Sequence, residues 1–333
     1  MIKRKSIKKS ETWTAEKPYL VYDYVHIDST AVLTIEKGAR VYFHNKASMY
    51  VNGTVKANGS LKEPIIFQGD RLEQAYKNLP DQWSGIVLFS GSHNNIFNHT
   101  TIKNANIGLQ VGTLEHEGFA DVELSNARIQ NMSYSCLYAL KSNITAHNTL
   151  ISNCGGYAVA LLSGGHYTFY HTTIANFWGG IFDKSRNTPS LVVKNYQKAT
   201  IKGETAVYMG DLKATFANSI VYGTLQQEVY LDSREECKFN YLFDHCILKV
   251  GQSFINSDNI KSFENVYTGA KYNPLFKDPT EEYNFELDTL SPAKDIGALK
   301  YANMFQLDIL GNSRVDDKAP DLGAFERIEN AKK

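Results

Sequence analysis

The sequence predicts an all-β fold, a right-handed parallel β-helix (β-solenoid) with a C-terminal cap, and two observations carry this prediction. First, six segments share one six-residue frame. In this frame the second position is small, the fourth is branched aliphatic and the sixth is Asn in most copies. The frames begin at His99, Asn126, Asn148, His171, Asn218 and His245. Second, β-branched and aromatic residues dominate these windows, and no run has helical apolar spacing. Stacked parallel strands joined by right-handed crossovers explain both the repeated frame and the residue types within it.

The frame predicts where its side chains point. Alternation with period two places the second, fourth and sixth positions on one inward face. The sixth-position residues Asn104, Asn131, Asn153 and Asn176 should then stack as a hydrogen-bonded ladder at the turns. The first position should face solvent as a polar stripe. An apolar residue two positions before each frame has the wrong parity for a flat strand, so we expect a bend or bulge there.

Spacing and composition divide the chain into four parts. We predict a disordered or truncated leader or linker over 1–16, the β-helix over 17–250, its cap over 251–326 and a tail over 327–333. Frame starts are 22 to 27 residues apart, except for the 47 residues between His171 and Asn218. That interval contains either an extra coil or an insertion near 183–205. About ten coils would make a helix about 50 Å long.

Charge and composition exclude several classes of protein. Lys and Arg together number 35, as do Asp and Glu, so the net charge is zero. The sequence therefore lacks the excess of positive charge that is typical of nucleic-acid-binding proteins. No apolar stretch is long enough to span a bilayer. The cysteines Cys136, Cys154, Cys237 and Cys246 lack metal-site spacing and are expected as free thiols or, as the weaker alternative, one disulfide. The basic segment 1–10 precedes polar residues, so no signal peptide is predicted, and the chain is either cytoplasmic or part of a longer precursor.

Several motifs resemble a known family. They are the runs 17–23, 33–38, 51–53, 69–71 and 82–86, together with the C-terminal runs 290–297, 308–311 and 321–326. The chain resembles, over residues 17–326, secreted right-handed parallel β-helix proteins of the pectate-lyase-like superfamily, and in particular uncharacterised bacterial surface lipoproteins. The resemblance implies a secreted or cell-surface protein with a lipid anchor on a preceding segment. It does not choose among lyases, hydrolases, adhesins and inactive members.

Known catalytic patterns are missing from the sequence. The Asn-Thr-Asp, Gly-His-Asp and Arg-Ile-Lys motifs of polygalacturonases do not occur, and the single Asp-Asp pair lies in the predicted cap. Asp244 and His245 resemble part of a pectate-lyase motif, but they also simply occupy columns of the repeat. No metal site or cofactor is predicted, and Ca²⁺ is expected only if the protein is a lyase.

Aromatic residues after the Asn turns are the candidate binding residues. Tyr134, Tyr157 and Trp178 recur at similar offsets in three consecutive coils, beside a segment that carries Arg186. Aromatic rings stack on sugar rings, and Arg binds carboxylates or sulfates. We therefore predict a monomer that binds a polysaccharide or oligosaccharide through these four residues. Equally, the aromatic residues could pack beneath the insertion.

Two other functions stay open at this point. One is a polysaccharide lyase or glycoside hydrolase, with Asp183, Lys184 and Arg186 as catalytic candidates. The other is a structural or adhesin-like spacer, which a large exposed apolar patch on one face would favour.

Overall fold

The structure, a computed structural model, describes residues 1–114, 118–179, 185–201, 203–316 and 318–328. These residues form a right-handed parallel β-helix built from one sheet system of 21 strands. The strands of the first half are β1 (Ile2–Ile7), β2 (Glu11–Trp13), β3 (Tyr19–Ile27), β4 (Val32–Glu36), β5 (Arg40–Phe43), β6 (Ser48–Val51), β7 (Thr54–Asn58), β8 (Ile65–Gly69), β9 (Trp83–Leu88), β10 (Asn95–Asn98), β11 (Thr100–Lys103), β12 (Ala105–Val111), β13 (Asp121–Ser125) and β14 (Arg128–Met132).

Longer strands that turn corners follow in the second half. They are β15 (Ser135–Cys154), β16 (Val159–Asn176), β17 (Leu191–Lys194), β18 (Tyr196–Ile201), β19 (Glu204–Met209), β20 (Leu212–Gly223), β21 (Val229–Asp232), β22 (Phe239–Leu248), β23 (Phe263–Tyr267), β24 (Phe276–Asp278) and β25 (Asn284–Leu287). One short α-helix, α1, spans Leu299–Ala302. Single 3₁₀ turns lie at Gln74–Tyr76, Ile260–Ser262 and Ala270–Tyr272.

The strands stack into three lateral faces, which we call A, B and C in the order the chain follows. Face A contains 24–27, 48–51, 85–88, 107–111, 135–140, 159–162, 191–194 and 229–232. Face B contains 11–13, 32–36, 54–58, 95–98, 121–125, 143–147, 165–170, 212–217, 239–244 and 263–264. Face C contains 19–21, 41–43, 65–69, 100–103, 128–132, 149–154, 172–176, 219–223, 246–248 and 266–267. Ten stacked segments on face B correspond to a length of about 50 Å.

The bend predicted before each frame is confirmed, and its cause is a left-handed residue at the corner between faces B and C. The first frame residue has a φ of 44° to 51° in all six copies. Asn and His adopt this region more readily than most residues, which explains why this column contains only these two residue types. The expectation that this column faces solvent is corrected: His171 and Asn218 are completely buried at the corner.

The same corner continues one coil beyond the six frames. Asn265 has a φ of 51°, and the strand around it pairs in register with β22. The residues two positions before these corners point into the core. Phe169, Phe216, Phe243 and Phe263 stack in successive coils, with centroid separations of 5.0, 4.8 and 5.4 Å.

The Asn ladder forms in a different column from the predicted one. Within the described residues, no hydrogen bond joins the side chains of the sixth-position asparagines. Asn176 Nδ2 instead donates to the carbonyl oxygens of Cys154 and Gly156. The ladder lies in the corner column, where Asn148 Nδ2 donates to Asn126 Oδ1 at 3.2 Å. Sixth-position residues lie where the chain turns from face C to face A, so local carbonyl groups are nearer than the next copy.

Residues 2–13, which the sequence predicts as leader or linker, form the first coil. Strand β1 pairs with β3 and β2 pairs with β4, both parallel. Ile7 and Trp13 are buried, so this segment closes the core at its first coil.

The 47-residue interval is a single coil with an insertion. Strand β16 pairs directly with β17 on face A and with β20 on face B, which leaves no room for another coil. The antiparallel hairpin β18–β19 is inserted in the chain between β17 and β20.

After the last coil the chain turns back along face C. Phe254 and Ile255, in the connection between β22 and β23, pack against the core at this end of the β-helix. The segment that we call the strap, residues 268–316 and 318–328, then covers face C and the B/C corner. Its apolar residues Phe285, Ile309 and Phe325 form a second core with Leu150, Ile220 and Ile247. The strap therefore buries one lateral side of the β-helix and leaves faces A and B open.

Candidate functional site: a tyrosine cluster on face A

Four tyrosines form a cluster on face A. Tyr134 and Tyr157 lie at the turns that enter face A in successive coils, whereas Tyr138 and Tyr230 point outward from its strands. Tyr134 is 45% exposed and Tyr230 is 48% exposed. The rings of Tyr134 and Tyr138 are tilted, with centroids 6.0 Å apart. We call Tyr134, Tyr138, Tyr157 and Tyr230 the tyrosine cluster.

The phenol groups of the cluster influence one another. Burial raises the pKa of Tyr138 to about 12, and the neighbouring Tyr134 and Tyr157 add to the effect. Burial also raises the pKa of Tyr157, with smaller contributions from Tyr134 and Tyr230. The hydroxyl groups of Tyr138 and Tyr157 are therefore protonated at neutral pH and can donate hydrogen bonds.

The floor between the tyrosines is aliphatic. The register places Tyr138, Ala160, Val192 and Tyr230 side by side in consecutive strands. Ala160 and Val192 are buried together with Leu140 and Leu162, although all four side chains leave the outer side of face A. Tyr138 and Tyr157 pack against this apolar group, so the rings are held on a rigid strand scaffold.

A polar rim lies beside Tyr230. Asp232 Oδ2 accepts a hydrogen bond from Tyr196 OH at 2.5 Å and one from Tyr230 OH at 3.4 Å. Lys194 Nζ lies 3.8 Å from the same carboxylate and 4.1 Å from the centroid of the Tyr196 ring. Arg234 Cζ lies 5.0 Å from the centroid of the same ring. The rim supplies both donors and acceptors.

Two of the predicted binding residues, Tyr134 and Tyr157, belong to the cluster, but Trp178 does not share its surface. Trp178 is only 7% exposed. Its backbone N–H donates to Asn176 Oδ1, and its indole lies so close to Gly155 that an added Cβ would meet Cζ2 at 3.2 Å. The preceding Phe177 packs against Phe276 and Phe285 of the strap. The predicted aromatic binding residues are thus divided, with Tyr134 and Tyr157 at the surface of face A and Trp178 in the interior.

Arg186 is buried as well. Its side chain has no exposed area, and it donates to Glu228 Oε1 at 2.7 Å and Oε2 at 2.9 Å. It also donates to the carbonyl oxygen of Asn176. These bonds hold the turn after face C, and they leave the guanidinium inaccessible to a ligand at the surface. Asp183 and Lys184 lie outside the described residues.

Sequence reasoning missed Tyr138 and Tyr230. Tyr138 could have been found by parity, because its neighbours Leu137 and Ala139 point inward and an alternating strand then places Tyr138 outside. Tyr230 lies 12 positions after the frame start Asn218, as Tyr138 does after Asn126, so the same offset in the repeat could have found it.

Face B presents a different surface, a polar groove of about 540 Å³. Lys56, Asp121, Glu123 and Thr145 line it, together with the amide side chain of Asn143. Asp121 is hydrogen-bonded to His93 Nδ1 at 2.8 Å. Asp244 and His245 lie on the same face at its corner, where Asp244 accepts bonds from Tyr301 at 2.6 Å and Lys300 at 2.7 Å. Asp244 therefore anchors the strap.

Neither a metal centre nor a membrane-spanning helix occurs among the described residues. No group of three or more His, Cys, Asp or Glu side chains there is arranged to hold a metal ion. Likewise, none of the helices described is long and apolar enough to cross a membrane.

Comparison with known proteins agrees with the fold. Residues 21–174 match the family model of the right handed beta helix region. With the long parallel sheet, this match defines the protein as a right-handed parallel β-helix, and the resemblance to the pectate-lyase-like superfamily is consistent with it. No curated protein matches the chain, and no solved structure does.

Proposed function

We propose that this β-helix binds a carbohydrate chain on face A through the tyrosine cluster. The observation that carries the proposal is the grouping of four tyrosines over a rigid aliphatic floor, with Tyr134 and Tyr230 almost half exposed. Rings held in this way lose little conformational entropy when a ligand stacks on them. Their hydroxyl groups add hydrogen bonds to sugar hydroxyls.

The ligand is an extended chain rather than a single ring. Tyr138 and Tyr230 are separated by three strand spacings, which corresponds to about 14 Å. The Asp232 and Lys194 side chains at one end provide a polar contact for hydroxyl groups beyond the rings.

We further propose that the protein acts outside the cell or at the cell surface, as a monomer and with a lipid anchor on a preceding segment. Support comes from the resemblance to surface lipoproteins, and a polysaccharide is a ligand suited to that location.

Retention in native gels that contain a panel of neutral and acidic polysaccharides tests the proposal. We expect at least one polysaccharide to retain the protein, and the double variant Tyr134→Ala/Tyr157→Ala to bind it at least about tenfold more weakly. Tyr42→Ala, which removes a half-buried ring from face C, is the matched control and should bind normally. Absence of retention across the panel, or equal retention of the double variant, would contradict the proposal.

The groove on face B favours a second candidate, hydrolysis or elimination on a polysaccharide. Asp121 and Glu123 lie two residues apart in the same strand and both line the groove, so two carboxyl groups are available there as an acid and a base. The same panel, incubated with and without Ca²⁺ and followed by unsaturated-uronide absorbance and reducing ends, tests this alternative. Turnover that Glu123→Gln abolishes would support it.

A further inference from the structure

Two thiols meet in the core beneath the tyrosine cluster. Cys136 Sγ donates to Cys154 Sγ at 3.3 Å, and neither side chain is exposed. Cys136 lies near the start of β15 on face A, and Cys154 ends the same strand on face C, 18 residues later and almost one full turn of the β-helix further on. The two sulfurs therefore face each other across one coil-to-coil contact.

The surroundings fix both thiols at the corner between faces C and A. Cys136 Sγ also lies 3.3 Å from the carbonyl oxygen of Ser152, and Cys154 Sγ donates to that of Tyr157 at 3.3 Å. Asn176 Nδ2 approaches Cys154 Sγ at 3.7 Å. A disulfide requires a sulfur separation of about 2.05 Å, so a shift of little more than 1 Å would close the bond.

We propose that Cys136 and Cys154 are a modification site that forms an intrachain disulfide by exchange with a small-molecule disulfide such as oxidised glutathione. The first thiolate attacks the glutathione disulfide, forms a mixed disulfide and releases one glutathione thiolate. The second thiolate then attacks the protein sulfur of the mixed disulfide and releases the other glutathione. The protein gives up two electrons and two protons, and glutathione disulfide is reduced to two thiols.

Burial determines when the bond forms. Burial raises the pKa of Cys136 well above its usual value, so the reactive thiolate is scarce in the folded protein. We expect the bond to form while the chain folds and the two thiols are still accessible. Once formed, it joins the coil of Tyr134 and Tyr138 to the coil of Tyr157 and stiffens the scaffold of the cluster.

The test is to refold the protein from guanidinium in a buffer of oxidised and reduced glutathione, isolate the folded monomer and map its peptides without reduction. We expect a peptide pair linked through Cys136 and Cys154 that is lighter by two hydrogen atoms than the two free peptides. We also expect Tm to rise by several degrees and the rise to disappear on reduction. If refolding fails, the same map is made on protein secreted into the bacterial periplasm.

Two variants identify the partners. Cys154→Ser should abolish the link, whereas Cys237→Ser should leave it intact, because Cys237 is partly exposed and lies away from the pair. If Cys154→Ser does not fold, the peptide map of the wild-type protein still shows whether Cys136 and Cys154 are linked. Cys136 and Cys154 recovered as free thiols under oxidising conditions, or linked to Cys237 or Cys246, would overturn the proposal.

Discussion

Arg314 donates a hydrogen bond to Glu326 Oε1 at 2.6 Å, and the two side chains are 0% and 4% exposed. The same guanidinium donates to Asn148 Oδ1 at 3.1 Å. A buried ion pair inside the strap is thereby tied directly to the corner ladder of the β-helix. The strap is integral to the fold, because its removal would leave charged groups and an apolar face without partners.

Arg314→Met should destabilise the protein by about 3–5 kcal/mol, since it leaves Glu326 Oε1, Asn148 Oδ1 and the Gly323 carbonyl oxygen buried without the guanidinium that donates to them. Urea denaturation measures the loss. Lys277→Met removes a cation from an exposed pair with Glu286, and this control should cost less than about 1 kcal/mol. A loss below about 1 kcal/mol for Arg314→Met would show that the strap does not depend on the ion pair.

The left-handed corner can be tested at Asn126, whose φ is 51°. Asn126→Gly and Asn126→Ala both lose the side-chain hydrogen bonds with Asn98 and Asn148. Only Ala also carries the steric penalty of the left-handed region, so it should be less stable than Gly by about 1–2 kcal/mol. Thermal and urea unfolding of the two variants measure the difference. Equal stabilities would mean that the corner relaxes out of the left-handed conformation.

Acid should weaken the attachment of the strap through His147. Its ring stacks on Phe305 at 4.2 Å, and burial, followed by the charges of Arg314 and His99, lowers its pKa from 6.5 to about 4. The unfolded chain therefore binds this proton more readily than the folded protein. Stability from His147 is complete above pH 6.5 and is lost as the pH falls towards 4, by roughly 2 kcal/mol for a partly exposed group.

Other groups also titrate beneath the strap. The pH dependence of stability is therefore measured in wild type and in a His147 variant, and the two are compared. Burial lowers the pKa of His171 well below its usual value, which acts in the same direction as His147. Burial raises the pKa of Glu326 to about 8, which acts in the opposite direction. His147→Gln should lose less stability than wild type between pH 7 and pH 5 in urea titrations, whereas His166→Gln on exposed face B should behave like wild type. Parallel losses in wild type and His147→Gln would refute the assignment.

Carbohydrate binding should depend little on salt. Lys194 is near Asp232, and Arg234 Nη1 lies 3.9 Å from Glu236, so the rim charges cancel. We expect the Kd for a neutral oligosaccharide to change less than about twofold between roughly 0.05 and 0.5 M NaCl. Isothermal titration calorimetry measures this, and a tenfold weakening would indicate that charge, rather than stacking, dominates the contact.

Local patterns made much of the fold predictable. The frame columns predicted the coil length, the inward aliphatic residues and the bend, because strand parity is a local property of the chain. The role of the corner column was missed, since parity assumes a straight strand and takes no account of the left-handed conformation that Asn and His adopt.

Long-range pairing was not predictable in the same way. The ion pair of Arg186 with Glu228 joins residues 42 positions apart, and the contact of Arg314 with Asn148 spans 166 positions. No repeat relates these residues. The sequence therefore suggested that Arg186, which follows an aromatic run, belongs to a surface site. The fold instead buries Arg186 against Glu228.

A crystal structure of the protein with an oligosaccharide of the polysaccharide that retains it tests the central proposal most directly. Our account predicts sugar rings stacked over Tyr134 and Tyr157, with the chain continuing towards Tyr230 on face A. Sugar density confined to the face B groove, between Lys56 and Glu123, would contradict it.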